Sequence, residues 1–139
     1  MARLNLLEET RFEKVPVKVY PNQNVASIQV ANRIASIIKE KQAKGETAVL
    51  GLATGATPIK VYQELVRLHK EEGLSFKNVV TFNLDEYYPM QPTAAQSYVT
   101  FMNKNLFDYV DIPRDNINIP DGTISEDQIQ AYCEAYEQK

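Results

Sequence analysis

The chain has 139 residues, 44% of them apolar and 24% charged, with a formal net charge of -3. That length allows one domain with a single core, and the balance is that of a globular protein rather than a disordered one. The acidic surplus excludes a nucleic-acid scaffold, which needs a basic face to displace counterions from a phosphate backbone.

The opening stretch MARLNLLEETRFEK scatters its charges and holds no apolar core of signal-peptide length. Neither an export leader nor a membrane anchor is therefore expected. Val15 to Tyr20 (VPVKVY) alternates apolar and polar residues and reads as a first strand. Asn22 and Asn24 are helix-cap candidates, after which Val25, Ile28, Ala31, Ile34, Ala35 and Ile38 recur at helical spacing until Lys44 and Gly45. Thr47 to Ala53 (TAVLGLA) is a short apolar run, as expected of a strand covered on both faces in a parallel sheet. Thr54 to Thr57 is a small-residue turn. Pro58 suits the first position of the next helix, whose stripe of Val61, Leu65 and Leu68 runs to Gly73.

Val79 to Leu84 (VVTFNL) reads as the next strand, and Asp85 to Ser97, with two prolines and no period, as a loop of the length that often carries function. Tyr98 to Phe107 resumes a helical pattern, Asn116 to Ile119 reads as a short strand, and a last helix starts at Ser125 or Glu126. Alternating strands and helices predict a parallel, doubly wound α/β structure, with right-handed crossovers that send every strand-to-helix loop to one edge. Cys133 is the lone cysteine, so no intramolecular disulfide forms and a reducing cytoplasm is the expected compartment. It reads as a buried or half-buried small residue rather than a nucleophile.

The turn after one strand and the acids after the next should meet at the carboxyl edge of the sheet, where open α/β sheets bind ligands. In TGAT, Gly55 frees the backbone, Thr54 and Thr57 offer hydroxyls, and amides lie free at the helix start, a set that suits a phosphate. The same residues equally describe a tight turn with a threonine cap. Asp85 and Glu86 read either as a solvated pair or as a general base at the strand end, and the absence of nearby histidines or further acids disfavours a metal. Tyr87 and Tyr88 read as loop packing, and His69 as an exposed histidine on a helix face.

The segment VLGLATGATPIKVYQELVRLHKEEGLSFKNVVTFNLDEYY, Val49 to Tyr88, resembles the glucosamine-6-phosphate deaminase (isomerase) family, and the likeness continues from Gln96 to Gly122. The resemblance implies a three-layer, doubly wound, mainly parallel NagB/RpiA-like sheet, here incomplete at the C-terminus. It makes residues 1–139 the N-terminal portion of a single isomerase/deaminase domain. Thr54, Gly55, Ala56 and Thr57 match the family's phosphate-binding loop and Asp85 its catalytic aspartate, while Glu86, Tyr87, Ser97 and Tyr98 are expected to shape or line the site. The implied reaction moves a proton between C2 and C1 of ring-opened glucosamine 6-phosphate, giving fructose 6-phosphate and ammonia without metal or cofactor.

The implied partner is a sugar phosphate rather than nucleic acid or membrane, and relatives' oligomers make a homo-oligomer an expectation. The related 6-phosphogluconolactonases typically carry DER after this strand, whereas Asp85, Glu86, Tyr87 stand here. The ring-opening histidine segment of the resembled family is absent, so the chain is expected to be a fragment with little activity alone. The alternatives are a non-catalytic phosphosugar-binding module, a lactonase-like hydrolase, or a half-domain that completes its sheet by association and so exposes an apolar edge or face.

Overall fold

A computed structural model describes residues 15–139. Asn22 opens the first helix, α1 (Gln23–Ala43), because its backbone is extended and its side-chain oxygen accepts the Val25 N–H at 3.0 Å. Asn24 lies inside the helix and accepts from Lys60 instead. β1 (Ala48–Leu52) leads into α2 (Ile59–Glu72), which ends as Gly73 takes a φ of 71° that other residues resist. β2 (Val79–Asn83), α3 (Tyr98–Asn105), β3 (Ile117–Asn118) and α4 (Ile129–Glu137) complete the order. Short 3-10 turns stand at Phe107–Tyr109, Arg114–Asn116 and Glu126–Gln128.

The sheet is parallel with order β1-β2-β3, and its register sets Leu52 opposite Asn83 and Thr81 opposite Ile117. Both β1 and β2 hand the chain to a loop at their carboxyl ends, so the two loops share one edge. Asparagine side chains tie the strands across that sheet. The Nδ2 groups of Asn83, Asn116 and Asn118 donate to the carbonyls of Leu52, Val79 and Thr81, each at 3.0 Å.

One face of the sheet packs Ala48, Leu52 and Val79 against Ala31, Ala35 and Ile38 of α1, Tyr62, Leu65 and Leu68 of α2, and Met102 of α3. Each large apolar side chain fully buried there contributes about 1.5–3 kcal/mol relative to exposure. Phe82 points to the other face, where Tyr136 of α4 meets its ring edge-on at 6.1 Å and begins a third layer.

Several expectations are corrected. Val15 to Tyr20 is not a strand: no described residue pairs with it, and Val15, Val17 and Val19 are at least 70% exposed. Alternation prepares a segment for a ladder but cannot supply the partner's hydrogen bonds. β1 is covered on one face only, since Val49 is 64% exposed. Beyond β2, Leu84 is 90% exposed, so an apolar surface lies open beside the sheet. Cys133 is exposed on α4 rather than packed. His69 is half-buried, with Nδ1 at 2.6 Å from the Leu74 carbonyl. It stands beside Asp111, whose carboxylate accepts from Phe76 N–H and Ser75 Oγ, because the chain folds back under the end of α2.

Gly122 closes the loop that follows β2. Its carbonyl accepts the Met90 N–H at 2.8 Å, and a Cβ on it would stand 2.6 Å from the Tyr87 carbonyl oxygen and 2.8 Å from Met90 Cβ and its carbonyl oxygen. Gly122→Ala is expected to lower stability by about 1–3 kcal/mol through forced backbone displacement. The check is the urea midpoint at constant slope, and an unchanged midpoint contradicts this packing.

Candidate active site

The turn after β1 is shaped from below by Tyr62. This residue is 2% exposed, and its hydroxyl donates to the Ala53 carbonyl, directly before Thr54. Burial pushes the phenol up to about 12, so it remains a protonated donor through the neutral range. Gly55 then takes φ 96°, a conformation costly to any residue with a Cβ. Ala56 and Thr57 follow on the surface.

Pro58 occupies the cap position of α2 rather than its first helical position, and no side chain caps the helix. Tyr62 N–H, bonded to the Pro58 carbonyl at 3.0 Å, opens the α2 ladder. The amides of Ile59, Lys60 and Val61 precede it and have no partner in the helix ladder. The threonine-cap description of TGAT is thereby set aside, and what remains is an uncapped helix start behind a glycine bend.

Asp85 is exposed, two residues beyond Asn83, just as Thr54 is two residues beyond Leu52. Glu86 turns inward instead. Its carboxylate accepts from Ser97 Oγ at 2.7 Å, from Tyr98 N–H at 2.9 and 3.0 Å, from Tyr87 N–H at 2.9 Å and from Val99 N–H at 3.3 Å. Burial alone would raise its pKa, but these donors outweigh it and hold the group below its ordinary value. Ser97 is fully buried and caps α3, accepting the Val99 N–H at 3.1 Å. Glu86 and Ser97 thus fasten the loop to the start of α3.

Tyr87 and Tyr98 are placed by that fastening. Their ring centroids are 4.9 Å apart, and the pairing with Tyr98 pushes the Tyr87 phenol up, with the negative charges of Asp85 and Glu86 adding to the shift. The two rings line a cavity of about 870 Å³ together with Met90, Gln96, Phe101 and, from the turn after β1, Thr54 and Gly55. Asp85, Ala56 and Thr57 are not among the residues that line this space, and Asp85 touches it only through the effect of its charge on Tyr87. The turn, the acid and the tyrosine pair therefore gather at the carboxyl edge. Among the described residues there is no cluster of three or more histidine, cysteine or acidic side chains able to hold a metal, and no helix long and apolar enough to cross a membrane.

Residues 21–139 match the family model described as glucosamine-6-phosphate isomerases/6-phosphogluconolactonase. The chain belongs to this family of α/β enzymes. It is 49% identical to glucosamine-6-phosphate deaminase 1 of Giardia intestinalis over 113 residues, covering 81% of this chain and 40% of that protein. A solved monomeric glucosamine-6-phosphate deaminase superposes with a TM-score of 0.82 at 39% identity, over 89% of this chain and 49% of the other. The 6-phosphogluconolactonase of Trypanosoma brucei, at 20% identity and a TM-score of 0.69 over 90% of this chain and 49% of its own, shares the fold. The chain thus spans less than half the length of each of these relatives.

Two residues that shape this edge escape sequence reasoning. Tyr62 shares a helix face with Leu65 and Leu68, and that three-residue spacing was a usable signal. Asn83 ends an apolar strand, where an amide is out of place, and that anomaly was the other.

Tyr62→Phe is expected to cost about 1–2 kcal/mol by leaving the Ala53 carbonyl short of a donor. Because the folded phenol titrates above the unfolded one, its share of stability is present below pH 10 and lost as pH rises toward 12. Alkaline unfolding of the wild type should steepen across that window relative to the phenylalanine variant, and parallel curves would contradict it. Glu86→Gln is expected to cost about 1–2 kcal/mol at pH 7 through the weakened cap. A depressed folded pKa gives stability above the ordinary carboxylate value that is lost as pH falls through the folded one, so the penalty should shrink by pH 3. Urea unfolding at both pH values measures it, and a pH-independent penalty counts against the carboxylate's role.

Proposed function

We propose that this chain provides the phosphate-holding turn and the proton-transfer base of a glucosamine-6-phosphate deaminase/isomerase, as the N-terminal portion of that single enzyme domain. In this reading the amides and hydroxyls of Thr54, Gly55, Ala56 and Thr57 hold the sugar phosphate, and the uncapped start of α2 adds its partial positive charge. Asp85 takes the proton from C2 of the open-chain aldehyde, a carbon acidified by the neighbouring carbonyl, to give an enolamine. The proton returns to C1, water adds to the resulting imine at C2, and ammonia leaves with fructose 6-phosphate as the other product.

The observation that carries the reading is the cavity of about 870 Å³ lined by Thr54 and Gly55 together with Tyr87 and Tyr98, with Asp85 following β2 at the same sheet edge. The aromatic pair gives the sugar's carbon face an apolar wall. Met90, Gln96 and Phe101 extend it.

A second reading, phosphosugar binding without turnover, draws on the chain's span of less than half of its relatives. Calorimetry with fructose 6-phosphate and glucosamine 6-phosphate, beside an ammonia-release assay, separates the two. Binding of both sugars is expected, with turnover by the chain alone far below that of a full-length relative. Any turnover should fall by about 10²–10⁴-fold in Asp85→Asn while binding changes by less than about threefold. Failure of both sugars to bind contradicts the turn assignment, and turnover untouched in Asp85→Asn contradicts the base.

A further inference from the structure

We propose that Asn83 is a positioning residue for this site, setting the gap between the phosphate turn and Asp85 through its grip on the end of β1. The proposal rests on the phosphosugar reading above. Asn83 is 2% exposed at the last position of β2, directly opposite Leu52, the last residue of β1. Its Nδ2 donates to the Leu52 carbonyl at 3.0 Å, and its own main-chain carbonyl accepts the Tyr136 hydroxyl at 2.7 Å. Among the described residues the side-chain oxygen, which is buried, has no hydrogen-bond partner.

An unpaired buried amide oxygen is unfavourable, and an asparagine is a poor strand former, so packing alone favours an apolar residue of similar shape here. What the amide supplies is a bond across the sheet at the point where each strand becomes a functional loop. Thr54 follows Leu52 by two residues and Asp85 follows Asn83 by two, so this bond lies beneath both groups. Loss of the clamp lets the two strand ends part, and a displacement of the order of 1 Å between a phosphate anchor and a base is enough to cost activity.

The test separates positioning from plain stability. Asn83→Leu keeps the shape, removes the unpaired oxygen and cannot clamp. The Leu52 carbonyl left short of a donor offsets the gain from losing the unpaired oxygen, so the melting temperature should stay within about 4 °C of the wild type, while affinity for fructose 6-phosphate falls at least tenfold. In Asn83→Asp the carboxylate repels the Leu52 carbonyl at neutral pH, whereas the protonated acid can donate to it. Its affinity relative to wild type at each pH should therefore recover on acidification. A ligand-free readout accompanies these: backbone amide resonances of Gly55 to Thr57 and of Asp85 should shift together in Asn83→Leu, with those of α1 unmoved.

Affinity of Asn83→Leu within twofold of wild type, or a melting point lowered in proportion to the loss of binding, would overturn the proposal. If the wild type binds neither phosphosugar, the functional reading fails separately, and the amide resonances then decide whether Asn83 positions the two loops. Unshifted resonances overturn that as well.

Discussion

Parallel pairing of β1 with β2 puts Leu52 opposite Asn83, and the rest of the candidate site is built upward from that pair. Because both strands run the same way, both leave the sheet at the same edge, and a turn and a loop separated by a helix and a strand in sequence become neighbours. A slip of one residue would reverse the faces of β2 and turn Val79 and Thr81, now buried, out of the core while Phe82 turned in. The buried face therefore holds the register, and the register holds the chemistry.

Above the pair, two part-buried polar contacts work in different directions. Tyr62 reaches up from α2 to the Ala53 carbonyl and steadies the turn from within the core. Glu86 reaches back from its loop to the amides of Tyr98 and Val99, so the start of α3 holds the loop. Thr54, Gly55, Tyr87 and Tyr98 together line the cavity. The neighbouring acids Asp85 and Glu86 thus divide: one is exposed at the edge, and the other supports the helix that forms the wall.

The face beside β1 is open, with Val49 and Leu84 exposed. α4 covers part of it through Tyr136 against Phe82, while Gly51, Leu84 and Tyr136 still border an apolar hollow.

Sequence alone determined the strand and helix order from Asn22 onward, the glycine bend at Gly55, and the placing of the Thr54 turn with Asp85 on one edge. Those are consequences of local periodicity and of the handedness of parallel crossovers, which act over short stretches of chain. Tertiary structure alone decided that Val15 to Tyr20 has no ladder partner among the described residues, that His69 and Cys133 exchange their expected exposures, and that Glu86 and Ser97 are fasteners. Each of these depends on which distant group arrives beside a residue. A carboxylate reads the same in sequence whether it meets water or four hydrogen-bond donors.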